Sequence, residues 1–186
     1  MVKMQRWKSK LQVRGVIMKK VVKFGGSSLA NAEQFQKVGD IIRSDESRRY
    51  VVPSAPGKRF DDDIKVTDML YGCYDAASKG EDITEKINAI KARYYEIIKG
   101  LGLSLSLEEE FKKIDEDFRA QAGIQYAASR GEFLNGKIMA AYLGYDFVDA
   151  ASVIRFDKAG NLEAEETNKL LSKKLSKSQH AVIPGF

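Results

Sequence analysis

The feature that most constrains this chain is an apolar segment, residues 21–24 (VVKF), that runs directly into residues 25–28 (GGSS). Its β-branched residues favour a strand, and the glycine pair, the hydroxyls and the periodic segment from Leu29 predict a tight turn into a helix N-terminus. Glycines let a backbone approach a phosphate closely, and the amides of a first helical turn point towards it. The segment favours phosphoryl transfer, although strand, glycine pair and helix also recur for packing alone.

Lys23 adds a positive charge to this turn, unless it is simply a solvated lysine at the end of a strand. Two other phosphate-binding motifs are missing from the sequence. No GxxxxGK[ST] is present, because Val52 stands five residues before Gly57, and no GxGxxG is present. A P-loop is therefore excluded and a Rossmann dinucleotide turn is disfavoured.

The length and composition indicate one ordinary globular domain. The chain has 186 residues, of which 44% are hydrophobic and 31% charged, enough for a sizeable core. No apolar run approaches the roughly 18 residues that span a bilayer, so we expect no membrane segment. The single cysteine, Cys73, excludes a disulfide framework and favours a buried structural thiol. These features predict a cytoplasmic location.

The net charge of +5 is concentrated at the N-terminus. Residues 1–17 contain five basic and no acidic residues, so 31 Lys and Arg minus these five leaves 26, equal to the 26 Asp and Glu. We therefore expect no nucleic-acid partner. We predict that residues 1–17 are a basic extension outside the fold, with a targeting peptide as the alternative, and that the domain occupies residues 18–186.

Three polar candidates follow the second predicted strand, residues 50–52. Ser54 lies in a Pro/Gly loop at the carboxyl end of that strand, where ligands bind in open α/β sheets, although serine is also ordinary turn chemistry. Thr67 fits a helix N-cap and equally a ligand contact. The three consecutive acids 61–63 project in different directions, which favours a solvated loop over a metal site.

The second half of the chain alternates helices with short strands. Helical spacing from residue 82 to about 128, broken at 100–102 (GLG), predicts a helical pair laid against the sheet. Glu132 stands at capping-box spacing from Ser129, so it is a helix cap or, alternatively, a ligand for a cationic group. Strands are predicted near 145–150 and 181–183. The fold class is α/β, a three-layer αβα sandwich with a mainly parallel sheet and an inserted helical pair.

With these residues in hand, the sequence resembles the amino-terminal part of the aspartate kinases, a branch of the amino-acid kinase family. The resemblance covers residues 18–186 and rests on motifs in the family's order. They are KFGGSS at 23–28, VVPSA at 51–55, VTDML at 66–70, SRGE at 129–132 and VIPGF at 182–186. It implies the amino-acid kinase fold, incomplete at its C-terminus, with residues 18–186 as the aspartate-binding lobe.

The resemblance also implies an activity. The family transfers the γ-phosphoryl group of ATP, with Mg²⁺, to the β-carboxylate of L-aspartate, the first step towards lysine, methionine and threonine. The resemblance further implies homo-oligomeric assembly of the full-length protein. Carried over, the catalytic residue is Lys23, the phosphate contacts are Lys23, Gly25, Gly26 and Ser27, and the substrate contacts are Ser54, Thr67 and Glu132.

The family's chains continue past this region into a segment containing GRGGSD, whose Arg and Ser bind the substrate α-carboxylate, then a nucleotide-binding half and regulatory domains. We therefore expect residues 1–186 alone to be inactive. Pro53 and Pro56 also stand where many relatives have other residues. The alternatives are an amino-acid kinase with a different acceptor, such as glutamate or carbamate, or a non-catalytic half-domain that acts only by association.

Overall fold

The computed structural model describes residues 18–185, so the predicted basic extension at 1–17 lies outside the described residues. The described chain alternates strands and helices except for four successive helices between the second and third strands, and it has two short 3-10 helices, Gly26–Leu29 and Ala150–Ser152. In chain order its elements are β1 (Lys20–Phe24), α1 (Ala32–Arg43), β2 (Arg48–Pro53), α2 (Val66–Ser78), α3 (Thr84–Gly100), α4 (Glu108–Arg119), α5 (Ile124–Leu143), β3 (Asp146–Phe147), α6 (Ala164–Leu175) and β4 (Ala181–Val182).

The four strands form one parallel sheet in the order β1-β2-β4-β3, which confirms the predicted parallel topology. Val51 lies opposite Val22 on one side and Val182 on the other. Because all strands run the same way, their carboxyl ends share one edge of the sheet. The loops that follow β1, β2 and β4 therefore meet there.

Side chains alternate across the sheet and pack against helices on both faces. Val51 and Val182 point into the larger core, which the first five helices cover. Tyr50 and Ala181 point to the opposite face, where α6 contributes Leu171. Each large apolar side chain buried in these layers stabilises the fold by about 1.5–3 kcal/mol. The three-layer sandwich is confirmed.

The predicted helical pair is α3 and α4, separated near Gly100 as expected. It packs mainly against α1, α2 and α5 rather than on the sheet itself, which corrects the predicted placement. Tyr94 and Phe118 are fully buried there, and Phe118 meets Tyr74 edge to face with 5.5 Å between ring centroids. The pair thus forms an outer layer over the helices that carry the site.

Three predicted helix starts are wrong. Helix α1 begins at Ala32, because the Asn31 side chain accepts from the Gln34 amide at 3.0 Å and caps it. Lys65, not Thr67, precedes α2. Helix α5 begins at Ile124, so the predicted cap of Ser129 and Glu132 lies inside the helix. Here the preceding residues 124–128 are themselves good helix formers and extend it.

The second-half strands are short. Strand β3 covers only Asp146–Phe147 of the predicted 145–150, and the chain then enters a 3-10 helix. Phe156 and Leu162 form an isolated antiparallel bridge between β3 and α6. Cys73 is fully buried, as expected. Within residues 18–185, none of the helices combines the length and apolar character needed to cross a membrane.

We expect Gly131→Ala, in the middle of α5, to destabilise the protein. A Cβ atom at this position would lie 2.7 Å from the Ala55 Cβ and 3.2 Å from Leu70 Cδ1, so the helix would have to move away from the loop after β2. Such overpacking costs about 1–3 kcal/mol, more than the helix gains from alanine. Urea unfolding measures the change.

The control is Gly72→Ala in α2, which is exposed and where a Cβ atom would meet nothing within 4 Å. This variant is expected to gain up to about 1 kcal/mol, because alanine is the better helix former. Equal stability changes in the two variants would contradict the close approach at Gly131.

Candidate active site

A pocket of about 510 Å³ lies at the carboxyl ends of β1 and β2. Its walls come from the turn after β1, the loop after β2, the start of α2 and the middle of α5. The lining residues are Gly26, Ser27, Ser54, Ala55, Pro56, Gly57, Lys58, Lys65, Thr67 and Glu132. Five of the seven residues predicted to form the site therefore line one pocket, although they are spread over more than a hundred positions of the sequence.

Lys23 joins this group through a direct contact. It is exposed near the end of β1, and its Nζ donates to Ser54 Oγ at 3.4 Å. The Ser54 amide in turn donates to the Phe24 carbonyl at 3.0 Å, which continues the pairing of the two strands into their loops. The strand pairing thus places a cationic group beside the hydroxyl that lines the pocket.

Glu132 is partly buried in α5 and faces the same pocket. Its Oε2 accepts from the Gly185 amide at 3.1 Å. Burial raises the pKa of its carboxyl above the ordinary value, while Lys23, the Gly185 amide and the Ser54 hydroxyl oppose the rise. The α5 start at Ile124 excludes the cap role, so this carboxylate is available to a ligand.

The glycine turn differs from its prediction. It enters the four-residue 3-10 helix rather than an α-helix N-terminus. A Cβ on Gly26 would lie 2.8 Å from the Ala55 carbonyl oxygen, so this glycine is needed for the close packing of two loops. A Cβ on Gly25 would meet nothing within 4 Å, and Gly25 is exposed. Gly25 and Ser27 are the open positions of the turn.

The prediction that the three acids at 61–63 form a solvated loop is wrong for Asp63. Asp61 and Asp62 are exposed, but Asp63 is only 9% exposed and forms a buried ion pair with Arg93 of α3 at 2.9 Å. A signal for this pair was present in the sequence, because Arg93 lies in helical phase with the buried Ile90 and Ile97. An arginine on an apolar face requires a partner.

Other residues of the site were not singled out from the sequence. Lys58 and Lys65 are exposed and line the pocket, in which Glu132 is the single carboxylate. Asn135, one turn after Glu132 and fully buried, donates from Nδ2 to the Ser54 carbonyl at 2.6 Å. The excess of positive charge suits an anionic ligand with one cationic group.

Among residues 18–185 no cluster of three or more His, Cys, Asp or Glu side chains could hold a metal ion by itself.

A parallel α/β sandwich with a cationic pocket at the strand ends is a fold and site suited to phosphoryl transfer. Residues 18–186 match the profile of the Amino acid kinase family, and the chain belongs to that family. Within the family its relatives are aspartokinases. It is 34% identical to Aspartokinase 3 of Bacillus subtilis (strain 168) over 183 residues, and 29% identical to the chloroplastic Aspartokinase 1 of Arabidopsis thaliana over 147 residues.

The matches cover 90% and 74% of this chain, but only 40% and 25% of these two relatives. The crystal structure of Clostridium acetobutylicum aspartate kinase superimposes with a TM-score of 0.87 at 43% identity, covering 91% of this chain and 39% of that one. Escherichia coli aspartokinase III in complex with aspartate and ADP superimposes with a TM-score of 0.72 at 23% identity, covering 89% and 40%. The latter likeness supports the fold alone. The chain thus spans about 40% of the length of Aspartokinase 3 and of these two solved structures.

We expect Glu132→Gln to raise the melting temperature at pH 7. Burial raises the folded-state pKa of this carboxyl above its ordinary 4.5, so the folded wild type binds its proton more tightly than the unfolded chain does. Wild-type stability therefore falls as the pH rises from the unfolded-state pKa through the folded-state pKa. The advantage of the variant should be complete above that range and vanish below about pH 4.

Thermal unfolding between pH 4 and pH 8 measures this difference. Glu116→Gln on the exposed side of α4 removes the same charge elsewhere and controls for net charge. A variant that is less stable than the wild type at pH 7 would mean that the contacts with Lys23 and Gly185 outweigh the burial of the carboxylate.

Proposed function

We propose that this pocket is the acceptor and phosphate site of an aspartate kinase, which transfers the γ-phosphoryl group of ATP to the β-carboxylate of L-aspartate. One observation carries the proposal: Lys23, with its Nζ 3.4 Å from Ser54 Oγ, and Glu132 lie at the same pocket as the glycine turn. The relatives with the higher identities are aspartokinases, and the related Escherichia coli enzyme forms a complex with aspartate and ADP.

The reaction needs positioned charge rather than a general base. A β-carboxylate oxygen attacks the γ-phosphorus, the bond from that phosphorus to the bridging oxygen breaks, and ADP leaves with the electron pair. Because the carboxylate carries no proton, none has to be removed. Catalysis then depends on orientation and on charge stabilisation by Lys23. Gly25, Gly26 and Ser27 contact the phosphates in this proposal.

The acceptor is held by the opposite wall. The α-ammonium group of aspartate pairs with Glu132, and this positive charge offsets the cost of burying the carboxylate. Thr67, the second residue of α2, and Ser54 offer hydroxyl groups to the acceptor. An amino acid thus meets a carboxylate at its ammonium end and Lys23 at the end that accepts the phosphoryl group.

The pocket also fits an ATP-bound magnesium ion. Mg²⁺ in kinases is held largely by phosphate oxygens and water with few protein carboxylates, and this pocket offers hydroxyl groups while its one carboxylate, Glu132, faces the ammonium group. Ser27, in the glycine turn, and Ser54, beside Lys23, would contribute hydroxyl groups to the outer contacts of the ion. When bound, the ion neutralises charge on the phosphates.

A complete enzyme of this kind would belong to the biosynthesis of lysine, methionine and threonine. A cytoplasmic location and homo-oligomeric assembly of the full-length protein stay predictions. The alternatives are a family member with a different acid acceptor, and a half-domain that acts only by association. The first predicts that glutamate or carbamate is phosphorylated in place of aspartate, and the second predicts no phosphorylation of any acceptor.

We expect residues 1–186 alone to show no aspartate-dependent ADP formation. Aspartokinase 3 of Bacillus subtilis is about two and a half times as long as the matched region, and the expected contacts to adenine and to the α-carboxylate lie in segments that residues 1–186 do not contain. A coupled ADP assay with and without L-aspartate measures this. Aspartate-dependent turnover by the purified chain would contradict the expectation and would show that the pocket suffices.

The catalytic role of Lys23 is tested in a chimaera, with residues 18–185 replacing the matching region of the Clostridium aspartate kinase, whose fold superimposes closely. Lys23→Met is expected to lower kcat at least about 100-fold, the usual effect of removing a transition-state charge contact. Acyl phosphate trapped as hydroxamate measures the rate with aspartate, glutamate or carbamate.

Lys20→Met at the start of β1 is the matched control, because this exposed lysine pairs with Asp45, away from the pocket. It should leave the rate unchanged. Full activity of the Lys23→Met chimaera would overturn the proposed role, and a preference for glutamate or carbamate would favour the alternative acceptor.

A further inference from the structure

The loop between β2 and α2 forms a large part of the pocket wall. We call residues 57–65 the brace loop; it begins beside Pro56, whose carbonyl accepts from the Val66 amide at 3.2 Å and closes the base of the loop. Gly57 and Lys58 at one end and Lys65 at the other line the pocket. The shape of the brace loop therefore sets the position of two pocket walls.

One side chain from outside the loop holds both of its ends. Arg93 of α3 is only 5% exposed, and its guanidinium donates to the Gly57 carbonyl at 3.0 Å and the Ile64 carbonyl at 3.2 Å. The same group pairs with the Asp63 carboxylate at 2.9 Å. Three acceptors of a nine-residue loop thus converge on one planar cation, a geometry that arginine offers and lysine does not.

The charge of Arg93 is balanced within the loop. Asp63 also accepts from Arg59 Nε at 2.9 Å and from Arg59 Nη2 at 3.0 Å, and Arg59 pairs with Glu96 of α3 at 2.8 Å. Burying such a network costs more free energy than an apolar contact of the same size. Stability alone therefore does not account for the network, whereas a requirement for one loop conformation does.

The restraint continues from the brace loop into the glycine turn. The Gly57 carbonyl accepts from Arg93, while the Gly57 amide donates to the Gly26 carbonyl at 2.8 Å. A Cβ on Gly57 would lie 2.6 Å from the Gly26 carbonyl carbon, so the two backbones touch with no space between them. The next turn bond, from the Ser28 amide to the Gly25 carbonyl at 3.1 Å, closes the 3-10 helix.

We propose that Arg93 is a positioning residue: by fixing Gly57 against Gly26, it couples the helical pair to the turn that contacts the phosphates. The proposal rests on the proposed function for the ligand of that turn, but its structural part concerns the turn alone. Arg93 does not line the pocket, and it acts on the glycine turn through the backbone of Gly57. The helical pair then has a role beyond packing, because it holds the phosphate turn in place.

Arg93→Met tests the proposal in the 186-residue chain. Asp63 keeps its pairing with Arg59 in this variant, so no bare charge is left in the interior. Amide hydrogen exchange followed by NMR should accelerate at Gly57 and Ser28 by at least about tenfold, the loss expected for one hydrogen bond to a charged group. Amides in the middle of α5 should exchange as in the wild type.

Arg93→Lys keeps the positive charge, and its amide exchange tests the proposal if Arg93→Met does not fold. It is expected to accelerate exchange at the same two amides by a smaller factor, because an ammonium does not reach all three acceptors in one plane. The matched control is Arg119→Met, which removes an arginine of α4 that pairs with Asp115 on the surface. It should leave both amides unchanged.

Unchanged exchange at Gly57 and Ser28 in both folded Arg93 variants would overturn the proposal. An equal acceleration of all amides would also overturn it, because Arg93 would then serve global stability only. A second experiment separates the coupling through Arg93 from the proposed function. Magnesium pyrophosphate is titrated into the protein while the Gly25 and Gly26 amides are observed by NMR. If the wild type binds pyrophosphate and Arg93→Met binds it at least about tenfold more weakly, the result supports both the phosphate role and the coupling. One lost hydrogen bond corresponds to that factor. Failure of the wild type to bind counts against the phosphate role, while the exchange result still decides the coupling.

Discussion

The site depends on the backbone contact between the turn after β1 and the loop after β2. The Gly57 amide reaches the Gly26 carbonyl at 2.8 Å, and neither glycine has space for a side chain. Parallel pairing of the two strands brings the loops to one edge of the sheet, but pairing alone does not set their separation. Gly26 and Gly57 set the distance between the two loops, and this distance determines how the polar groups of the pocket are placed. Lys23 near the end of β1 meets Ser54 because the pairing of β1 with β2 continues into the loop after β2.

The charged side chains of the same pocket are arranged unfavourably for stability. Glu132 is partly buried, and burial raises its pKa, although Lys23 and the Gly185 amide stabilise the charged form. Three exposed lysines lie at or beside the pocket, whose lining contains one carboxylate. An arrangement of this kind lowers stability in the absence of a ligand and is balanced when a ligand brings negative charge to the lysines and positive charge to Glu132. Under the proposed function, these charges fit an amino acid and a polyphosphate together better than either fits alone.

The parallel sheet and the helical pair could be predicted from the sequence because each leaves a local pattern, whereas the set of residues expected at the site followed from the family resemblance. Alternating strands and helices indicate parallel topology, and strand ends carry the ligand loops. Helix starts could not be predicted as well, because several nearby residues compete to cap a helix and packing decides between them. Asn31 caps α1, whereas Ser129 falls inside α5. The Asp63–Arg93 pair joins residues 30 positions apart, and no spacing rule connects a loop acid to a helix arginine.

The distribution of the core explains why the helices, rather than the sheet, hold this pocket. Strands β3 and β4 are two residues long each, so they contribute few ladder hydrogen bonds. The largest fully buried side chains lie mostly on helices, including Tyr94 of α3, whose hydroxyl donates to the Gly131 carbonyl of α5 at 2.8 Å. Residues 93 and 94 of one helix therefore contact the loop after β2 and the helix that carries Glu132. Rigidity at the site is transmitted from the helical pair inwards, so a change on the buried face of α3 has a direct route to the loop after β2 and to α5, two walls of the pocket.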